Sequence, residues 1–181
     1  MAKPKTKTWF EIKAPKLFKS ISLGETPALE AKDIIGRVVD TSLIELDNKT
    51  KKYYVKLFFK INNVDSNKAN TVFIGHECMR DFLSRVIRTG GTRIDVNDIF
   101  ELKDSKLRVK IVIMTRGRVS ISVNKKIRKK TKELLESELK TLTLDEFIKS
   151  FIENKIQSKI IEEIKKIYPI KVLEINKTNV L

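Results

Sequence analysis

The chain has 181 residues, 41% of them hydrophobic, with one cysteine, one histidine, and 38 Lys and Arg against 23 Asp and Glu. That length and apolar content suit a single domain with a real core, the lone cysteine excludes an internal disulfide, and no run approaches the roughly 18 apolar residues a membrane helix requires. A net charge of +15 repels itself in a compact fold unless a polyanion offsets it, so nucleic acid or a ribosome is the expected partner.

The opening "MAKPKTKTWF" is basic and leads into no apolar core segment, so no signal peptide is expected. With one thiol and no membrane segment, the chain reads as a soluble, cytoplasmic protein. Residues 1–33 read as a basic, irregular arm. Lys3, Lys5, Lys7, Lys13, Lys16 and Lys19 meet a single acid, Glu11, over the first 19 residues, and Pro4, Pro15 and Pro27 interrupt the arm. Trp9, Phe10, Leu17 and Phe18 lie among the lysines. Such side chains anchor an arm to its own core or stack on unpaired bases, and anchoring is favoured.

Residues 34–115 are predicted to be rich in strand. "IIGRVVDTSLIEL" reads as a strand with a bend at Gly36. "YYVKLFFKI" puts Tyr53, Val55, Leu57, Phe59 and Ile61 on one face and Lys56 and Lys60 on the other. "NTVFIG" follows a polar turn at Asp65-Ser66-Asn67, which predicts a hairpin. "RIDVNDIFEL" and "KLRVKIVIM" form another pair across Asp104-Ser105. Between these pairs, Met79, Phe82, Leu83, Val86 and Ile87 recur with helical spacing, and Gly90-Gly91 ends the helix.

Residues 116–168 form a basic helical region. Thr143 and Glu146 make a capping box before Leu144 and Phe147. Ile156, Ile160, Ile164 and Ile167 mark a further helix that stops before Pro169. "IKVLEINK", in the 169–181 tail, is a last strand. The fold class is α+β: one domain over 1–181, with an antiparallel barrel-like core, one inserted helix, and C-terminal helices packed around it.

Gly75-His76-Glu77-Cys78 unites the only histidine and the only cysteine with a carboxylate. A structural zinc site needs about four ligands, mostly Cys and His, and the chain has one of each. Placed at a helix start, His76 and Cys78 would turn away from one another. Gly75 is then the strand-to-helix turn, Glu77 a first-turn acid favoured by the helix dipole, and Cys78 a packing residue. No metal, cofactor or catalytic residue is expected. No phosphate-binding Gly-rich loop or nucleophile elbow is present. Asp33, Asp40, Asp95 and Asp98 are scattered acids. They leave open a metal-dependent nuclease, but their spacing does not demand it.

The cations carry more information. Arg80, Ser84 and Arg88 fall on one line of the inserted helix, with the two arginines about 12 Å apart along the axis. Arg85 can pair with Asp81 at i+4, and Arg93 follows the glycine turn. Arg116, Arg118, Lys125, Lys126, Arg128, Lys129, Lys130 and Lys132 form the densest group, with no acid between 116 and 132. Cations at a helix N-terminus oppose its dipole, which phosphate would relieve.

A set of segments in this order resembles one family: "APKLF" (14–18), "GETPA" (24–28), "IGRVVDTSL" (35–43), "VKLFFKI" (55–61), "FIGHECMRDFLSRVIR" (73–88), "TRID" (92–95), "KLRVK" (106–110), "KIYP" (166–169) and "EINKTNVL" (174–181). They resemble the S-three-A-e family of small-subunit ribosomal proteins of archaea and eukaryotes, in its shorter, archaeal form. The resemblance implies a protein without enzymatic activity. It would sit on the platform of the small subunit, near the messenger exit and the 3′ region of the ribosomal RNA, among neighbouring ribosomal proteins. It makes 80–93 and 116–130, with the lysines of the arm, candidate RNA contacts. The family tends to be more basic just after the inserted helix, where this chain has Thr89-Gly90-Gly91. A free-standing binder of single-stranded RNA or DNA is the alternative, and it would need Tyr54 and Phe58 exposed on the sheet.

Overall fold

A computed structural model describes residues 6–47, 50, 52–87 and 90–181. The chain divides into two compact units, Met1–Gly75 and His76–Leu181. The described strands are β1 (Thr8–Lys13), β2 (Ser22–Ala28), β3 (Val38–Ser42), β4 (Val55–Asp65), β5 (Lys68–Cys78), β6 (Arg93–Glu101), β7 (Lys106–Thr115) and β8 (Ile170–Val180). The helices are α1 (Leu43–Leu46), α2 (Arg80–Val86), α3 (Ile121–Leu139), α4 (Leu144–Ile152) and α5 (Lys155–Lys165). Hydrogen-bonded neighbours run β2-β1-β5-β8-β7-β6, with β4 joining β5 and β3 joining β4. This is a mixed, open sheet of eight strands within an α+β fold. It is mixed because β1 and β5 pair in parallel, unlike the antiparallel core expected.

In the first unit, β1 and β2 occupy the segment expected to be an irregular arm, paired from Thr8↔Ala28 to Lys13↔Ser22. Phe10, Ile12, Ala28, Ile34, Ile61 and Ala69 form one buried cluster. A second contact joins Phe59 edge-on to Phe18 and Phe73, with centroids 5.6 and 6.1 Å away. Period-2 alternation buries Val55, Leu57, Phe59 and Ile61 as expected. Tyr53, however, precedes the strand and is exposed, while Tyr54 is buried. The hairpin turn falls at Ser66, whose φ is 58°. The strand expected over "IIGRVVDTSLIEL" is only β3. Gly36 bends at φ 90° before it, and residues 43–46 turn into α1 after it.

In the second unit, β6 and β7 pair in continuous register from Arg93↔Met114 to Glu101↔Lys106. Strand β7 pairs with β8 on its other side, where Asn176 is skipped between Lys177 and Ile175 to make a bulge. Helix α3 buries Ile127, Thr131, Leu135 and Leu139, one residue per turn. Helix α4 opens with the expected box: Thr143 Oγ accepts from the Glu146 N–H at 3.4 Å, and the Glu146 carboxylate accepts from the Thr143 N–H at 2.9 Å. That second bond holds the Glu146 carboxyl below its ordinary value. Asp104 in the β6–β7 turn accepts from Leu144 N–H at 3.2 Å, tying the turn to the start of α4. Helix α2 follows the predicted spacing but buries none of its residues fully.

Candidate nucleic-acid interface

The expected contacts separate into two groups, one in each unit. In the first unit, Lys7 is exposed just before β1, and Lys16 and Lys19 are exposed on and after a 3-10 turn at Lys16–Phe18. Lys13 lies 3.8 Å from Glu11. Lys3 and Lys5 lie outside the described residues. Arg37, whose isolation beside Gly36 gives no charge cluster in the sequence, is exposed and held by hydrogen bonds to Asp33, Thr26 and Pro27.

In the second unit, Arg80 and Arg85 are exposed on α2. Arg85 Nε donates to the Asp81 carbonyl at 3.3 Å, a backbone contact in place of the expected side-chain pair. Arg88 lies outside the described residues, so the Arg80–Arg88 line is represented by Arg80 alone. Arg93 pairs with Asp95 at 2.9 Å.

Two backbones cross where α3 begins. The Thr92 N–H donates to Thr115 Oγ at 2.9 Å, and the Val119 N–H donates to Thr92 Oγ at 3.1 Å. The Thr115 N–H reaches the Thr92 carbonyl at 3.1 Å, and the Arg116 N–H reaches the Pro169 carbonyl at 3.1 Å. This network brings Arg93, Arg116 and Arg118 to the entrance of α3. Lys125, Lys126, Arg128 and Lys129 are exposed along its first half, and Lys130 is half-buried.

The first turn, Ile121–Asn124, carries no charge of its own. The expected clash between cations and dipole is therefore weaker than the sequence implied, because the dipole effect fades beyond one turn. The N-terminus is nevertheless uncapped. Ser120 caps no backbone N–H, and its hydroxyl lies 3.0 Å from that of Ser122. First-turn N–H groups flanked by Arg116 and Arg118 are suited to receive a phosphate oxygen.

The His-Glu-Cys cluster lies within strand β5, a correction to the helix start expected. In a strand, i and i+2 share a face, so His76 and Cys78 point inward together. His76 Nε2 lies 3.0 Å from the Ile175 carbonyl, and Nδ1 lies 2.7 Å from the Thr178 hydroxyl. A carbonyl only accepts, so Nε2 carries the proton, and in the neutral ring Nδ1 accepts from the Thr178 hydroxyl. Cys78 Sγ donates to the same Ile175 carbonyl at 3.3 Å, and Phe151 stacks on the imidazole at 4.0 Å. The pair therefore fastens β5 beside the β8 bulge. Gly75 is an interior strand residue, and Glu77 faces the other way, paired with Lys177 at 2.7 Å.

The scattered acids are also separated. Asp40 meets Lys56 at 2.9 Å, Asp95 meets Arg93, and Asp98 meets Lys132 at 2.5 Å. Asp33 accepts from the Glu30 N–H at 3.2 Å. Among the described residues, no group of three or more His, Cys, Asp or Glu is arranged to hold a metal ion, and no helix is long and apolar enough to cross a membrane. The sheet aromatics required by the single-strand alternative are not available as expected, since Tyr54 is buried and Phe58 half-buried.

A family model described as the Ribosomal S3Ae family matches residues 2–181. The chain belongs to this family. The small ribosomal subunit protein eS1 of Desulfurococcus amylolyticus is 39% identical over 178 residues, covering 98% of this chain and 84% of the relative. That of Methanobrevibacter smithii is 37% identical, covering 98% and 92%, and that of Methanopyrus kandleri is 38% identical, covering 98% and 86%. In the turn before β6, Gly91 is confined. A Cβ built there would stand 2.1 Å from the Thr115 carbonyl oxygen.

Proposed function

We propose that this protein is a structural, non-enzymatic component of the small ribosomal subunit in the cytoplasm, binding ribosomal RNA through phosphate contacts and supporting translation. Family membership supports the ribosomal role. One observation carries the RNA reading. Arg116, Arg118, Lys125, Lys126, Arg128 and Lys129 are exposed at an uncapped helix start, and residues 116–132 contain no acid. Such a site meets the RNA backbone by charge and recognises its folded shape with little base-edge readout.

The finer placement is the platform, near the 3′ region of the small-subunit RNA and the messenger exit, beside neighbouring ribosomal proteins and messenger RNA. The resemblance to the family supports it. Lys7, Lys13, Lys16, Lys19, Arg80, Arg85, Arg93 and Lys130 join the contact set. Of these, Lys13 and Arg93 contribute least, because a carboxylate already partners each.

The test is an RNA crosslink map of intact small subunits purified with this protein. Crosslinks from 116–130 to the 3′ region are expected. Recovery of the protein only in ribosome-free fractions would overturn the reading.

A further inference from the structure

Strand alternation gives β7 two unlike faces. Leu107, Val109 and Ile111 are buried, so Arg108 and Lys110 project from the other side of the sheet. The Leu181 N–H donates to the Lys106 carbonyl at 2.9 Å, which makes that facing pair a hydrogen-bonded one. By alternation, Arg108↔Asn179 and Lys110↔Lys177 are pairs of the same kind, with Cα atoms about 5.5 Å apart. Lys110 and Lys177 are thus like charges set directly opposite one another, and both are half-buried. Such a pair destabilises a sheet unless something offsets it. On the other side of β7, Asn97 stands across from Lys110 and Ile99 across from Arg108.

The carboxylates of this face are already engaged. Glu77 meets Lys177 at 2.7 Å, Glu101 meets Lys106 at 3.0 Å, and Asp95 meets Arg93 at 2.9 Å. Glu174, across from Val112, has a contact of its own. Among the described residues, no carboxylate pairs with Arg108 or Lys110. These two cations lie two residues apart on one strand, a rise of about 7 Å. Helix α3 lies against the opposite face. Its Lys132 reaches Asp98, which alternation places on the side of β6 that buries Ile94, Val96 and Phe100.

We propose that the outer face of β7 and β8, at Arg108, Lys110 and Lys177, is a second binding site for RNA phosphates, across the sheet from α3, so that one molecule holds two RNA segments. A phosphate between the opposed lysines relieves their repulsion. The Arg108 guanidinium takes a neighbouring phosphate through its fork of donors. The Asn97 and Asn179 amides beside them suit phosphate or sugar oxygens and carry no charge that would repel RNA. The site rests on the RNA-binding function proposed above, but none of these residues belongs to that contact set.

The full chain is titrated with a short RNA duplex, following anisotropy against salt, and the duplexes bound per protein are counted by analytical ultracentrifugation. Two per protein are expected, falling to one in Arg108→Gln with Lys110→Gln. With α3 silenced by Lys126→Glu, Arg128→Glu and Lys129→Glu, the same pair of changes should weaken the remaining binding about 10-fold and lower its salt slope by about two. Lys110→Arg should keep the slope of the parent. Circular dichroism confirms folding, and the double variant should melt no lower than the parent, because the opposed charges are gone.

One duplex per parent protein, or an unchanged slope in the folded double variant, overturns this site alone and leaves the proposed function standing. No RNA binding at low salt overturns both. Oligoglutamate that binds more tightly than RNA, and loses that binding in the double variant, assigns the face to an acidic protein segment and overturns the RNA site.

Discussion

The two halves of α3 share one buried stripe and treat their charges in opposite ways. In the second half, Lys132 meets Asp98 at 2.5 Å, Glu138 meets Lys159 at 2.9 Å, and Lys140, just past the helix end, meets Glu136 at 2.7 Å. In the first half, Lys125, Lys126, Arg128, Lys129 and Lys130 crowd together, and the acids facing them among the described residues are Glu133, 4.0 Å from Lys129, and Glu163, whose carboxyl Lys130 helps to hold down. Packing cannot explain the difference, because Ile127 and Leu135 are both fully buried. The first half also sets like charges one turn apart, Lys125 over Lys129 and Lys126 over Lys130, each costing about 0.2–0.5 kcal/mol. Among the described residues, one end of α3 is mostly neutralised and the other mostly is not, which is the arrangement the proposed phosphate contacts require.

Four changes separate the halves. Leu135→Ala should damage both, since it removes a fully buried side chain from the common stripe, with an expected loss of about 2–5 kcal/mol in chemical denaturation. Lys126→Glu, Arg128→Glu and Lys129→Glu together should break only the first half. RNA affinity should fall about 100-fold at moderate salt, and the salt slope should drop by about three. The free protein should become slightly more stable, by less than about 1 kcal/mol, because like-charge repulsion is relieved. An unchanged slope in a folded protein would remove α3 from the interface.

The matched change in the second half, Lys132→Glu with Lys140→Glu, should reverse that pattern. RNA binding should fall far less, with the salt slope nearly unchanged, while stability declines slightly as two surface pairs are lost. Smallest is Asp98→Asn. The hydrogen bond from Lys132 holds the Asp98 carboxyl below its ordinary 3.8. Its contribution is therefore complete above that value and disappears as pH falls through the folded one. The variant should lose no more than about 1 kcal/mol at neutral pH, and less in strong acid, measured as melting temperature against pH.

The clearest sequence signals were local ones. The Thr143–Glu146 box and the β6–β7 alternation depend on residues within a few positions of one another, and both are present. Strands β1 and β2 were hidden because lysines and prolines read as loop. Their partners, including β5 in parallel, are remote in sequence. His76 and Cys78 lie in a strand rather than at the expected helix start, because a glycine before a helical pattern reads as a turn. Their inward face is set by Ile175 and Thr178, about a hundred residues away. The cations of 116–130 were visible as composition. What composition could not show is which cations acids come to face, since that depends on Asp98, Glu136, Glu138 and Glu163 being brought beside particular lysines.

The tight crossing at Gly91 bears on how this charged end can vary. A single methyl there would press on the Thr115 carbonyl oxygen, and backbone, unlike a flexible side chain, cannot swing aside. Thr92 follows immediately and holds Val119, so the same crossing sets where Arg93 stands and where α3 begins. The arginines around it can be exchanged, lost or gained one at a time without disturbing the chain path. The glycine cannot be, so the frame on which the charges are arranged is more constrained than the charges themselves.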